Sequence, residues 1–194
     1  MIQTMNTSNI EPETEGGIHP KKFLLWLLIV ASVMLFAAFT SAYIVRRGEG
    51  NWLLFELPKM FGYNTVIVLL SSFFMQLSVY FAKKDELSKL KISLYATFVT
   101  GIIFSIFQYL GWKELIANNV YLAGNPSESF VYVISAVHLV HILIGLVFIG
   151  VVIIKAYLYR VHKTNLLSIQ LCTTYWHFVG ALWIYLYFFL LLNR

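Results

Sequence analysis

A chain of 194 residues with 59% hydrophobic and only 12% charged side chains carries more apolar surface than a soluble core of that length hides, against roughly 45–50% and about 25% in ordinary soluble domains. Aromatics at 17% and a mean hydropathy of +0.75 point the same way: the solvent for this chain is mostly lipid. The net charge of +5 lies in short clusters between apolar runs, which excludes a nucleic-acid face, and the single cysteine, Cys172, excludes an intrachain disulfide framework.

Residues 1–20 hold Glu11, Pro12, Glu13, Glu15, Gly16 and Gly17 and read as a disordered cytoplasmic tail. An acidic leader ahead of an overlong apolar run argues against a signal peptide. The first uncharged run, 23–45, reaches ~34 Å at 1.5 Å per residue, enough to cross a ~30 Å hydrocarbon core. Four further runs follow at 63–82, 92–112, 130–154 and 166–192, separated by segments that carry the charges and the breakers Gly48, Gly50, Pro58, Gly124 and Pro126. The expected fold is all-α: a polytopic five-helix transmembrane bundle forming a single domain over 21–194. The side holding the N-terminus has nine Lys and Arg (Lys21, Lys22, Lys83, Lys84, Lys89, Lys91, Lys155, Arg160, Lys163). The other has five (Arg46, Arg47, Lys59, Lys113, Arg194), so the N-terminus is expected inside and the C-terminus outside. Trp52, Phe55 and Trp112 fall where the chain leaves the outer boundary, as interfacial anchors do.

No Asp, Glu, Lys or Arg lies within the five runs, which counts against an ion-driven transporter. The polar side chains that remain recur at helical spacing. In the fourth run Ser135, His138, His141 or Ile142, and Gly145 share a face. In the fifth, Thr173 or Thr174, His177, Gly180 or Ala181, and Ile184 do. In the third, Gly101, Ser105, Gln108, and Gly111 or Trp112 do. Small residues let helices approach and imidazoles, amides and hydroxyls bond across the contact, so these stripes read as helix seams. The rival reading is haem or metal ligation. His141 and His177 each lie eleven residues into their runs, ~17 Å deep, where two imidazoles can meet across an iron. HxxH alone is a weak signal, and no carboxylate completes a non-haem site.

Several segments resemble subunit III of the haem-copper respiratory oxidases. Tyr175-Trp176-His177-Phe178-Val179, followed by Trp183 and an aromatic-rich end, is similar to the family's YWHFVD terminal helix. Ser135 to Gly145 resembles its TGFHGLHVxxG segment, and Pro58 with Asn64-Thr65 and Leu69-Leu70-Ser71-Ser72 its LNTxxLLxSS stretch. The run from Lys22 to Arg46 resembles the family helix that carries a Ser-Glu pair. Five spans match the short bacterial form. Three family carboxylates are replaced, by Ser32, Gly111 and Gly180, so no proton-antenna role is carried over.

The resemblance implies an accessory, non-redox subunit of a proton-pumping cytochrome c oxidase that reduces O₂ to water, in a bacterial cytoplasmic (inner) membrane. A quinol oxidase is the alternative, because both oxidase types use similar third subunits. A small b-type cytochrome built on His141 and His177 is the alternative of another class. No catalytic, cofactor or metal residue is expected in this chain, haem and copper being held by partner subunits I and II. Phospholipids and a larger respiratory supercomplex are the other expected associations. Asn64, Gln108, His138, His141, Tyr175, Trp176, His177 and Trp183 are the candidate structural, interface or lipid-contact residues.

Overall fold

The computed structural model describes residues 19–158 and 166–193. The expected tail falls on residues 1–18 and the Arg160–Asn165 connection on 159–165, both outside the described residues. Five helices run α1 Pro20–Gly48, α2 Lys59–Lys83, α3 Leu87–Ala117, α4 Pro126–Tyr157 and α5 Leu167–Leu192, and all five are long and apolar enough to cross a membrane. Four of the five extend past the uncharged run at both ends, because an apolar run measures hydrocarbon thickness and a helix continues through the interface. The added turns carry Lys21, Arg46, Lys59, Lys89, Lys113 and Lys155. The helix begins at Pro20, the last residue assigned to the tail. Pro20 suits the first helical position, and His19 Nδ1 caps it by accepting from the Lys21 amide at 3.2 Å.

Helix ends follow local chemistry. α2 and α3 both stop at a left-handed residue, Asp85 (φ 61°) and Asn119 (φ 60°). In each case one amide reaches back five residues, Glu86 N to Phe81 O at 3.1 Å and Val120 N to Leu115 O at 3.0 Å, closing the orphan carbonyls of the last turn. Asp and Asn tolerate that conformation better than other side chains carrying a Cβ. α4 opens on a capping box: Asn125 accepts from Ser127 N, and the Glu128 carboxylate accepts from Asn125 N at 3.2 Å.

α2, α3, α4 and α5 form a closed ring in which each helix packs on the next, and α1 lies outside it against α4 and α5. The position of α1 is legible in its burial. Only Leu25, Ile29, Ser32, Phe36, Thr40 and Tyr43, one residue per turn, are buried, while Phe23, Leu24, Trp26, Leu27, Val30, Met34 and Val45 are exposed. In water such a face demands a partner, but lipid tails are as apolar as leucine and leave it at little cost. Two of the expected interfacial anchors turn inward. Trp112 donates from Nε1 to Ser135 Oγ at 2.9 Å, tying α3 to α4, and Trp52 lies edge-on to Tyr43 with ring centroids 4.6 Å apart.

Candidate functional site: an aromatic-keyed interior and an open polar flank

The interior of the ring is keyed by two indoles on one face of α5, Trp176 and Trp183, two turns apart. Trp176 enters the slot left by two glycines. A Cβ on Gly101 would stand 2.9 Å from its Cη2, and one on Gly145 would stand 2.9 Å from its Cζ3. Its Nε1 donates to Ser71 Oγ at 3.0 Å, so one side chain from α5 touches α3, α4 and α2. Trp183 repeats the device. It stacks on Phe61 of α2 (5.6 Å), meets Phe104 of α3 edge-on (5.0 Å), lies against His138 of α4 (5.1 Å) and donates to Thr65 Oγ1 at 3.2 Å. Tyr175 donates from its hydroxyl to the His141 carbonyl at 3.1 Å.

Asn64 and Gln108 meet between α2 and α3. Asn64 Nδ2 donates to Gln108 Oε1 at 3.1 Å, both residues are fully buried, and Asn64 Oδ1 and Gln108 Nε2 have no partner among the described residues. Interhelical bonds of this kind are worth ~0.6 kcal/mol on average and at most ~1.7. Gln108→Leu is therefore expected to lower stability by ~1 kcal/mol, because it also strands the Asn64 amide. The double variant with Asn64→Leu is expected to cost less than the two single changes together. Denaturant titration of the four proteins of the cycle measures this; strict additivity would count against a coupled pair.

The three histidines divide. His138 is fully buried among Phe36, Phe104 and Trp183, and neither ring nitrogen has a hydrogen-bond partner among the described residues. His141 lies at the α1 contact. Its Nδ1 is 2.8 Å from the Val137 carbonyl, which only accepts, so Nδ1 carries the proton and Nε2 faces Ser32 Oγ at 3.2 Å. Ser32 also donates to Leu28 O at 2.8 Å, so its one proton is shared between the two acceptors. His177 sits on the outer side of α5, with Nε2 3.2 Å from Gln76 Oε1 of α2. The His141 and His177 Nε2 atoms are thus engaged with α1 and α2 respectively, a different arrangement from the facing pair that the b-type cytochrome alternative requires. Among the described residues no three His, Cys, Asp or Glu side chains gather as a metal site needs.

The seam faces expected on α3 and α4 lie largely on the buried stripes: Gly101, Gln108 and Gly111 are buried on α3, where Phe104 takes the place expected of the half-buried Ser105, and Ser135, His138, Ile142 and Gly145 are buried on α4, with His141 half-buried at the edge. On α5 the expectation is corrected. The buried face runs through Thr173, Trp176, Gly180 and Trp183, while Thr174 and Ala181 are exposed and His177 is half-buried, about one residue's rotation away. Gly111 and Gly180, where family members carry acids, are close-approach points. A Cβ on Gly111 would stand 3.1 Å from Phe61, and one on Gly180 would stand 3.2 Å from Ser72 Oγ and Val68 Cγ1, so any larger side chain at either requires those neighbours to give by a few tenths of an ångström.

Residues 53–193 match the family described as cytochrome c oxidase subunit III, a match that spans α2 to α5 and begins after α1. The chain belongs to the cytochrome c oxidase subunit III family. It is similar to the probable quinol oxidase subunit 3 of Staphylococcus saprophyticus, 23% identical over 179 residues that cover 89% of this chain and 88% of that one. It is also similar to the cytochrome bo(3) ubiquinol oxidase subunit 3 of two Buchnera aphidicola subspecies. With that of Schizaphis graminum it is 25% identical over 89% of this chain and 94% of the other, and with that of Acyrthosiphon pisum 28% identical over 98% and 95%. As a subunit III it is a multi-pass membrane protein of a multi-subunit haem-copper oxidase, and the interior placement of Asn64, Gln108, His138, Trp176 and Trp183 turns those candidates toward the bundle's own packing.

Gln76, Gln170 and Thr174 stand outside the eight candidates, yet they share the flank of His177. The signal for the two glutamines was available, carboxamides within apolar runs that fit no small-residue stripe, whereas the spacing of Thr174 puts it on the expected α5 seam.

A hydrophobic carbodiimide, which labels carboxyls within the bilayer, is expected to modify no residue within 23–45, 63–82, 92–112, 130–154 or 166–192. Peptide mapping after labelling checks this, and modification of Glu114 or Glu128, two residues outside the third and fourth ranges, would place those carboxyls within the bilayer and displace the span boundaries.

Proposed function

We propose that the chain is the accessory, non-redox third subunit of a bacterial terminal oxidase that takes electrons from quinol and reduces O₂ to water. The naming of its relatives as quinol and ubiquinol oxidase third subunits carries the choice of quinol over cytochrome c. In this reading the ring packs beside subunit I, and subunits I and II hold haem and copper. The N-terminus lies on the cytoplasmic side, as the lysine and arginine distribution supports. A groove of about 890 Å³ between α1 and α4 near the C-terminal end of α1, walled by Phe39, Ala42, Val45 and Phe130 with the Arg46–Glu49 ion pair at its rim, suits a phospholipid, the second association proposed.

The deciding experiment is oxygen uptake by the complex purified through this chain. Rapid oxidation of a short-chain ubiquinol or menaquinol with little turnover of reduced cytochrome c is expected. The reverse preference returns the cytochrome c reading, and purification without any haem-bearing subunit would overturn both. The pure single chain is expected to be colourless; a Soret band lost on His177→Ala would establish the b-type cytochrome alternative instead.

A further inference from the structure

Around His177, polar side chains stay uncovered on the lipid-facing side of the bundle: Gln76, Gln170 and Thr174 are exposed and His177 is half-buried. α1 and α2 do not approach each other, and α5 floors the trough between them. A cavity of about 350 Å³ there is lined by Leu25 and Trp26 of α1, Gln76 and Val79 of α2, and Gln170 and Thr174 of α5, with Lys22 at the rim. Gln76 lies seven residues from the end of α2, ~10 Å, and His177 ten residues from the start of α5, ~15 Å, so both are inside the hydrocarbon layer.

The bonding capacity of this trough is unbalanced. Gln76 Oε1 accepts from His177 Nε2, which leaves the two Gln76 Nε2 hydrogens as open donors and His177 Nδ1 as an open acceptor. Thr174 donates to the Gln170 carbonyl at 3.0 Å and keeps lone pairs free, and the Gln170 side chain makes no hydrogen bond to any described residue. Lipid tails satisfy none of these groups. A headgroup at the level of Lys22 stays in the interface and does not reach the depth of His177. Open donors and acceptors side by side call for a group that does both, a hydroxyl or a carboxamide, at that depth.

We infer that the trough between α1 and α2, floored by α5, is the docking surface for a transmembrane helix of another subunit of the same oxidase, which brings a Ser, Thr, Asn or Gln side chain to Gln76, Gln170 and His177. The inference rests on the third-subunit reading and fixes which face of the chain meets its neighbour. Trp26, exposed on the trough's wall, supplies the apolar side of that contact.

The test uses the whole oxidase in native membranes. A benzophenone amino acid at Trp26 is expected to give, on irradiation, an adduct whose peptide maps to a transmembrane helix of a haem-bearing subunit, and the same probe at Val147, exposed on α4, at least about fivefold less of it. In a second arm, the double variant Gln76→Leu with Gln170→Leu is expected to insert in wild-type amounts while the fraction co-purifying with the haem subunits falls about threefold. Adducts with lipid or a free isoprenoid quinone alone, from a wild-type chain that still co-purifies with its complex, would overturn the docking surface and leave the third-subunit reading standing. Full co-purification of the double variant would overturn it as well. A wild-type chain that brings down no haem protein would instead sink the reading on which the surface rests.

Discussion

Trp176→Ala is expected to lower the stability of the bundle by ~2–4 kcal/mol, the largest effect of any single change at the aromatic key. In soluble cores, removing a buried indole costs ~3–5 kcal/mol, part from transfer out of water and part from the void. In a bilayer the displaced apolar surface meets lipid rather than water, so the transfer part shrinks, while lost dispersion contacts and the void remain. The bond from Nε1 to Ser71 Oγ is lost in addition. The glycines that make the slot supply the control. Gly101→Ala puts a methyl 2.7 Å from Leu146 Cδ2 and 2.9 Å from Trp176 Cη2, an overpacking expected to cost ~1–3 kcal/mol. With Trp176 already truncated the contact with the indole is gone and the flexible end of Leu146 has the void to move into, so the double variant is expected to cost clearly less than the sum of the two. Thermal or detergent-induced unfolding of the four proteins reads the cycle. A cost for Trp176→Ala below ~1 kcal/mol, or full additivity, would mean that the indole does not fill the slot.

Much of this architecture was legible in the sequence because lipid imposes a coarse rule: charges are expelled from ~30 Å of hydrocarbon, so five uncharged runs correspond to five helices. The small-residue stripe was legible too on α3, where Gly101, Gln108 and Gly111 face inward as their spacing indicates. On α5 the same logic pointed about one residue away from the buried face. Polar and small residues mark a seam only where the interior is lined by them, and here the interior is filled by Trp176 and Trp183, whose size takes up the space that the glycines on α3 and α4 leave. His177 looked like a seam residue and lies on the outer flank; Gln76 and Gln170 looked incidental and line the trough beside it. In a membrane, hydropathy sets which residues are in the bilayer and says little about which way they face, since core and lipid are equally apolar. The peripheral place of α1 was also hidden, because its exposed and buried faces are both hydrophobic.

His138→Phe is expected to stabilise the bundle by ~1 kcal/mol, a gain from replacing a family-like motif residue. The His138 ring is fully buried, with Trp183 at 5.1 Å, Phe104 at 5.9 Å and Phe36 at 6.3 Å between ring centroids, and both nitrogens lack partners among the described residues. A buried polar group left unsatisfied costs ~1–3 kcal/mol, of which an N–H over an aromatic face returns only a fraction. Phenylalanine keeps the planar ring and its edge contacts, removes the stranded nitrogens and adds a small volume whose strain offsets part of the gain. His138→Leu tests the same idea without the extra ring atom. His138→Ala removes the packing as well as the polarity and is expected to cost ~2 kcal/mol. The ordering Phe or Leu above wild type, with Ala below, separates an imidazole kept for its shape from one kept for its chemistry. If Phe and Leu destabilise as much as Ala in the intact complex, the imidazole nitrogens are satisfied there by a polar group, and the interior of the ring is wetter than its side chains alone make it.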